Sequence, residues 1–269
     1  MDTPCLYLEW SEAPWDTAVF GFPVLQINRL EVHDRCAVGD MVYFETTRDQ
    51  LGAGLVSCRL PHDQLRESML LEDHGFRFIE MVYRPELDNL QTRELPASSL
   101  DVEPAQPADI AAIQRIARHA FRNERFHMDP RLDATLGDER YCRWVGNSLG
   151  HHSQRLYTVR EGPRLIAFFV NEMLADCCYW HLNAVEPAIH GLGYGRRAWL
   201  AMLYQAKLSG ADCVRTCIAT RNHRALNLYA RLGFRFSPPL MTFHWVRQAQ
   251  PSESPHCHGC RSHNGRSTK

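Results

Sequence analysis

The apolar pattern of this chain switches repeatedly between period 2 and period 3.6, as strands and helices alternate. Leu6-Tyr7-Leu8 opens a strand, and Val24 to Leu30 alternates as a second one. Residues 37–50 read as a helix. Gly54 to Leu60 reads as a strand, Pro61 to His74 as a helix stopped by Gly75, and Phe76 to Tyr83 as a strand. Residues 85–101 are polar, with Pro85, Pro96, Ser98 and Ser99, and have the composition of a linker. Pro107-Ala108-Asp109 starts a helix whose buried stripe is Ile110, Ile113, Ala117 and Ala120. Residues 121–138 show no period and read as a long loop, and Tyr141, Trp144, Val145 and Leu149 indicate a further helix. Leu156–Arg160 and Leu165–Met173 flank Glu161-Gly162-Pro163 as a hairpin, and Cys177 to Val185 is the next strand. Trp199, Met202, Leu203 and Ala206 recur at i, i+3, i+4 and i+7, an amphipathic helix. A strand from Cys213 to Ala219, a helix from Asn222 to Gly233 and a strand over 240–246 complete the order.

At 269 residues, two units are expected rather than one. The formal net charge is −1 and no basic stripe carries interleaved aromatics, which argues against a nucleic-acid partner. No run of about 18 apolar residues exists, so no membrane span is expected. The N-terminus lacks a basic-then-apolar signal, so a cytoplasmic location is expected. Cysteine occurs ten times, at 5, 36, 58, 142, 177, 178, 213, 217, 257 and 260. Several lie in apolar strands, and reduced thiols are expected. Residues 248–269 are almost without apolar residues and read as a disordered tail. Within it, Cys257-His258-Gly259-Cys260 supplies one ligand pair, fewer than a zinc site needs, so no metal is expected.

The most informative stretch is 180–236. His190-Gly191-Leu192-Gly193-Tyr194-Gly195 sits between a strand ended by Pro187 and an amphipathic helix. Unpaired N–H groups and the positive dipole end at such a turn suit a phosphate. Asn222, Ala225, Tyr229, Gly233 and Phe234 follow on the next helix. Together these resemble the acetyl-CoA-binding region of the GNAT superfamily of N-acetyltransferases. The first block is similar to the family's (Gln/Arg)-x-x-Gly-x-(Gly/Ala) loop, with His190 in the Gln/Arg place. The second is similar to its Asn-x-x-Ala…Tyr…Gly-Phe helix.

The resemblance implies an α/β GNAT fold, a mixed central sheet flanked by helices, over residues 103–247. Residues 91–102 would be the linker. Residues 1–90 repeat the strand–helix–Gly-Phe–strand order without the glycine loop, and are expected to form a truncated, degenerate GNAT-like unit. The cofactor would contact Asn183, Ala184, Val185, His190, Gly191, Leu192, Gly193, Tyr194, Gly195, Arg196, Asn222 and Tyr229. Tyr229 lies on the stripe Ala225, Leu228, Tyr229, Leu232. By spacing alone it is a buried aromatic; the resemblance makes it the phenol that assists the leaving thiolate. Asn222 is also a good N-cap.

Two further candidates come from strand alternation. His181 shares a face with Tyr179, Asn183 and Val185, near the expected thioester. Glu80 shares one with Phe76, Phe78 and Val82, where a carboxylate is costly unless paired. Each is a candidate base for the amine, with an ion pair or ordinary packing as the alternative. Trp15-Asp16…Phe20-Gly21, Glu80, Arg125-Phe126 and Trp144 resemble the TDP-fucosamine acetyltransferase branch of that superfamily. This implies acetyl transfer to the amino group of a nucleotide-linked amino sugar by direct attack in a ternary complex. Trp15, Glu80, Arg125 and Phe126 would bind that acceptor. Protein termini, lysines and small polyamines stay open as acceptors, as do a homodimer and a non-catalytic acyl-CoA-binding module.

Overall fold

The computed structural model describes residues 1–248. Expectations for the tail, including its Cys/His pair, fall outside the described residues. Two mixed sheets carry the fold. The N-terminal elements are β1 (Leu6–Glu12), α1 (Pro14–Phe20), β2 (Val24–Val32), α2 (Ala37–Gln50), β3 (Leu55–Pro61), α3 (Leu65–Asp73), β4 (Arg77–Tyr83) and β5 (Pro85–Leu87). There follow β6 (Asp101–Pro104), α4 (Ile110–Ala120), α5 (Arg125–Met128), α6 (Ala134–Ser148), β7 (Gln154–Glu161), β8 (Arg164–Leu174) and β9 (Cys177–Val185). The last are α7 (Tyr194–Leu208), β10 (Cys213–Thr216), β11 (Ile218–Ala219), α8 (His223–Arg231), β12 (Arg235–Phe236) and β13 (Leu240–Val246).

The two sheets exchange strands. The first has the order β1-β2-β3-β13-β4-β11, the second β12-β5-β10-β9-β8-β7-β6. The last strand, β13, therefore sits inside the N-terminal sheet, antiparallel to both β3 and β4. Conversely, β5 lies in the stretch expected to be a linker and pairs with β10 and β12 of the second sheet. Sequence boundaries at 90 and 247 thus do not separate the sheets. Residues 121–138 are also not one loop, since α5 and the start of α6 lie within them. Pro61 ends β3 instead of opening α3, which begins at Leu65.

One face of the first sheet is apolar. Val56, Cys58, Leu60, Phe76, Met241 and Phe243 pack with Met41 and Phe44 of α2 and Leu70 and Leu71 of α3. The opposite face carries a cross-strand row of polar residues: Gln26 opposite Ser57, Ser57 opposite His244, Arg59 opposite Thr242, and Thr242 opposite Glu80. Such alternation would suit a sheet with one face in water. Here the segment around α5 covers that face, with Phe126 packed against Val19, Phe20, Val24 and Leu55. The second sheet is sandwiched, with α7 and α8 on one side and α4 and α6 on the other.

Two cysteine pairs are joined as disulfides, Cys5–Cys36 and Cys177–Cys213, with Cα separations of 5.6 and 4.4 Å. This corrects the expectation of reduced thiols for those four residues. The cause is tertiary: Cys177 and Cys213 are register partners on parallel strands, which spacing does not reveal. Cys58, Cys142, Cys178 and Cys217 are free thiols. Among the described residues, no helix is long and apolar enough to cross a membrane.

Candidate active site

The strand from Cys213 to Ala219 builds the site by leaving one sheet for the other. Cys213–Thr216 pairs with Cys177–Trp180 of β9, and Ile218–Ala219 then pairs with β4. The remainder of β9, from His181 to Val185, keeps β8 on one side and loses its neighbour on the other. A fork opens there, with a free backbone edge on β9. Backbone groups at such an edge need partners, and an extended ligand can supply them.

The glycine block stands at the mouth of this fork. Gly191 and Gly193 adopt φ values of 85° and 84°, and Gly193 caps α7. An added Cβ at either would meet nothing within 4 Å, so backbone conformation requires glycine here, not space. Tyr194 Oη donates to Glu161 Oε2 at 2.7 Å, and Arg197 Nη2 donates to Glu161 Oε1 at 2.7 Å. These bonds pin the first turn of α7 to the β7–β8 hairpin. The His190 ring bonds the Val185 carbonyl through Nε2 at 3.1 Å. The side chain in the Gln/Arg place therefore closes the loop onto the end of β9.

Fork and loop share a cavity of about 730 Å³. Its lining includes Asn183, Ala184, Val185, His190, Gly191, Gly193, Gly195, Arg196 and Asn222. Five arginines also line it, at 122, 196, 221, 224 and 231, and no carboxylate does. Of the predicted cofactor residues, Leu192, Tyr194 and Tyr229 are absent from the lining. Leu192 is exposed, and the Tyr194 hydroxyl is held by Glu161. Asn222 caps α8, its Oδ1 accepting from Ala225 N at 3.1 Å.

Tyr229 is 1% exposed and packs edge-on against Trp180, Trp199 and Phe234. It does not line the cavity; its hydroxyl reaches the wall by donating to Asn183 Oδ1 at 3.3 Å. Burial pushes the phenol further above its ordinary value, so it is protonated at neutral pH.

A β-bulge explains that contact and corrects the alternation read from sequence. Val170 pairs with Leu182 and Asn171 with Trp180, leaving His181 as the extra residue. Faces flip there. Tyr179 and His181 lie on the α6 side, their rings 4.8 Å apart and His181 6.0 Å from Trp144. Asn183 and Val185 turn to the α7–α8 side, with Tyr229. His181 is instead paired with Glu172, Nε2 to Oε2 2.8 Å, and is not on the cavity wall.

A second bulge places Glu80. Phe243 pairs with Phe78 and Thr242 with Glu80, so Ile79 is the extra residue. Phe78 stays beside Phe243, at 5.9 Å, while Glu80 turns to the polar face. It does not share a face with Phe76 and Phe78, contrary to strict alternation. The Ile79 carbonyl freed from the ladder accepts from Arg221 Nη1, a cavity-wall residue, at 2.7 Å. Glu80 is 1% exposed, lies 3.4 Å from Arg59 Nη2, and has no partner at Oε2. Its pKa is pushed up to about 7 by burial and the nearby charge of Glu124, against the opposing pull of Arg59, Arg125 and Arg221. Arg59 also donates to Thr242 Oγ1 at 3.1 Å and reaches Cys217 Sγ at 3.8 Å, tying both sheets together.

Other acceptor candidates separate. Arg125 joins the polar face, Nη1 donating to Ser57 Oγ at 3.1 Å. Burial lowers its pKa to about 10. Phe126 is buried core, beneath the guanidinium groups of Arg125 and Arg140. Trp15 lies on α1, but its neighbour Asp16 makes the contact to α6, with Arg140 Nε at 2.6 Å. Among the described residues, Glu86, Asp88 and Cys213 come close enough to share a metal ion. Arg215 and Arg235 already pair with the two acids, and Cys213 is bonded to Cys177.

Residues 111–234 match the acetyltransferase (GNAT) family, and that span includes the glycine block, the fork and Tyr229. The chain carries a GNAT acetyltransferase domain, that of an enzyme. The family takes its acetyl group from acetyl-CoA. Across 245 residues the chain is 20% identical to the spore coat polysaccharide biosynthesis protein SpsD of Bacillus subtilis (strain 168), covering 88% of this chain and 82% of that one. A conserved protein of unknown function from Staphylococcus epidermidis ATCC 12228 shares the fold with a TM-score of 0.64 at 10% identity, covering 92% and 93% of the two chains. A GCN5-related N-acetyltransferase from Sphaerobacter thermophilus does so with a TM-score of 0.58 at 14% identity, covering 90% and 76%. Both structural likenesses extend across the strand-exchanged N-terminal sheet as well as the GNAT domain.

Proposed function

We propose that this protein transfers an acetyl group from acetyl-CoA to a primary amine, most plainly the amino group of a nucleotide-linked amino sugar. The observation that carries the first half is the cavity. It joins a free strand edge to a helix N-terminus and is lined by five arginines and no acid. An acyl-pantetheine arm would lie along β9, and its pyrophosphate would rest on the N–H groups that open α7. Attack by the amine forms the new C–N bond as the C–S bond breaks. Tyr229, protonated and linked to the wall through Asn183, would supply the proton to sulfur. Support for the sugar acceptor is the resemblance to the TDP-fucosamine acetyltransferase branch, together with the likeness to a polysaccharide biosynthesis protein.

A thiol-release assay tests this reading. Acetyl-CoA is offered with TDP-4-amino-4,6-dideoxygalactose, glucosamine, spermidine and a lysine peptide. Release is expected with the nucleotide sugar above the rate without acceptor. Release only with the peptide or spermidine would replace the acceptor; binding of acetyl-CoA with no release for any amine would make this an acyl-CoA-binding module.

Cofactor placement has its own test. Gly193→Val forces a branched side chain into a left-handed backbone, a strain of roughly 1–3 kcal/mol. Distortion of the loop is expected to weaken CoA binding by about tenfold or more in calorimetry. Unchanged affinity in a folded variant would move the pyrophosphate elsewhere.

A further inference from the structure

The polar face of the first sheet brings acids and arginines together, and one acid is left over. Asp16 is held by Arg140 at 2.6 Å, Glu80 by Arg59 at 3.4 Å and Asp129 by Arg131 at 2.8 Å. Glu124 is in the same region, yet among the described residues no cation lies within ion-pair distance of its carboxylate. It follows Asn123, which lines the cofactor cavity, and precedes Arg125 and the buried Phe126. It is half-buried, whereas Glu80 is sealed at 1% exposure. Arg59, Arg125, Arg140, His127 and Glu80 face it, and burial raises its pKa against the pull of the cations. A carboxylate taken partly out of water without a paired cation is costly unless a ligand supplies one.

We infer that Glu124, not Glu80, receives the acceptor's ammonium group and takes its proton, with Glu80 behind it as a positioning residue. This rests on the acetyltransferase reading above. The protons balance. One leaves the ammonium for Glu124 and then for solvent, and the free nitrogen lone pair forms the C–N bond as the C–S bond breaks. The nitrogen then loses a second proton, which restores the one that Tyr229 gives to the departing thiolate. The acceptor is thereby a cationic amine. Arg125 has no carboxylate within ion-pair distance among the described residues, and its Nη1 donates to Ser57 Oγ at 3.1 Å.

The test uses the full chain as Glu124→Gln, Glu124→Asp and Glu80→Gln, with acetyl-CoA and the amines of the thiol-release panel. Glu124→Gln is expected to lower kcat/KM for the amine by about a hundredfold or more, the low end for general acid–base catalysis. Acetyl-CoA affinity should stay within about twofold of wild type. Wild-type kcat/KM should rise with pH through a single acid limb, and that limb should vanish in Glu124→Gln while persisting, displaced, in Glu80→Gln. Glu124→Asp keeps the charge and should recover part of the loss, which a packing defect would not. An active wild type with Glu124→Gln indistinguishable from it, or with the limb intact in that variant, overturns the inference alone. A wild type that releases no thiol with any amine overturns the functional reading, and the inference with it.

Discussion

Tyr229→Phe is expected to lower kcat by at least about a hundredfold while acetyl-CoA binds nearly as before. A positioned acid contributes about 10²–10⁴-fold. The substitution removes one oxygen from a ring whose other contacts, with Trp180, Trp199 and Phe234, are apolar and remain. The hydrogen bond lost is the one to Asn183 Oδ1, and Asn183 lies on a cavity wall where water can replace the hydroxyl. Fold and cofactor affinity should therefore survive. Burial keeps the phenol protonated far above neutral pH, so near neutrality it can donate a proton but not act as a base. The loss should shrink when the acetyl donor carries a thiol of lower pKa, because that thiolate leaves with less help. Single-turnover rates measured with two donors separate the cases. A variant within a few-fold of wild type, with chemistry rate-limiting, makes Tyr229 a packing residue.

The turn and the helix cap that line the cavity are legible in the sequence, and the reason is physical. A left-handed glycine turn and an N-cap Asn are local devices, so their residues announce them. The placement of His181 and Glu80 depends on two bulges, at His181 and Ile79. Alternation assigns a face to each strand residue, and one inserted residue reverses every assignment beyond it. Alternation thereby puts His181 with Asn183 although they face opposite layers, and Glu80 with Phe76 and Phe78 although it faces Arg59. The exchange of β13 and β5 between sheets is equally silent in sequence, since every strand involved is well formed locally. Glu124 gave no signal because its region has no period; a lone acid between cavity-lining Asn123 and buried Phe126 stands out only in three dimensions.

The segment that carries Glu124 and Arg125 is itself fastened to β13 by one buried cluster, and Asp129→Asn should break it. Asp129 and His244 are both 0% exposed. The Asp129 carboxylate accepts Arg131 Nε at 2.9 Å, Arg131 Nη2 at 2.8 Å and the Arg131 backbone N at 3.1 Å, and lies 3.1 Å from His244 Nδ1. Arg131 Nη2 also donates to the His244 carbonyl at 3.1 Å. Asp129→Asn leaves a neutral His244 and an Arg131 that is 30% exposed without their acceptor, a loss of about 1–3 kcal/mol. For a chain of this size that is a fall in Tm of roughly 2–12 °C at neutral pH. The pH dependence has a definite sign. Burial holds His244 down to about 4, so the unfolded chain binds the extra proton first, and stability falls as pH drops from about 6.5 toward 4. Burial opposes the Asp129 charge, but bonds from Arg131 and His244 outweigh it and hold the carboxyl well below the usual range. Its contribution is complete above about pH 4 and is lost on further acidification. The Tm gap between wild type and Asp129→Asn should therefore be widest near neutral pH and narrow below about pH 4, while the histidine limb persists in both. Weaker amine binding should accompany the loss, since Glu124 and Arg125 lie on the same segment. A gap below about 2 °C at pH 7, or one that stays constant into acid, would mean that the segment is held by Phe126 and its apolar neighbours instead.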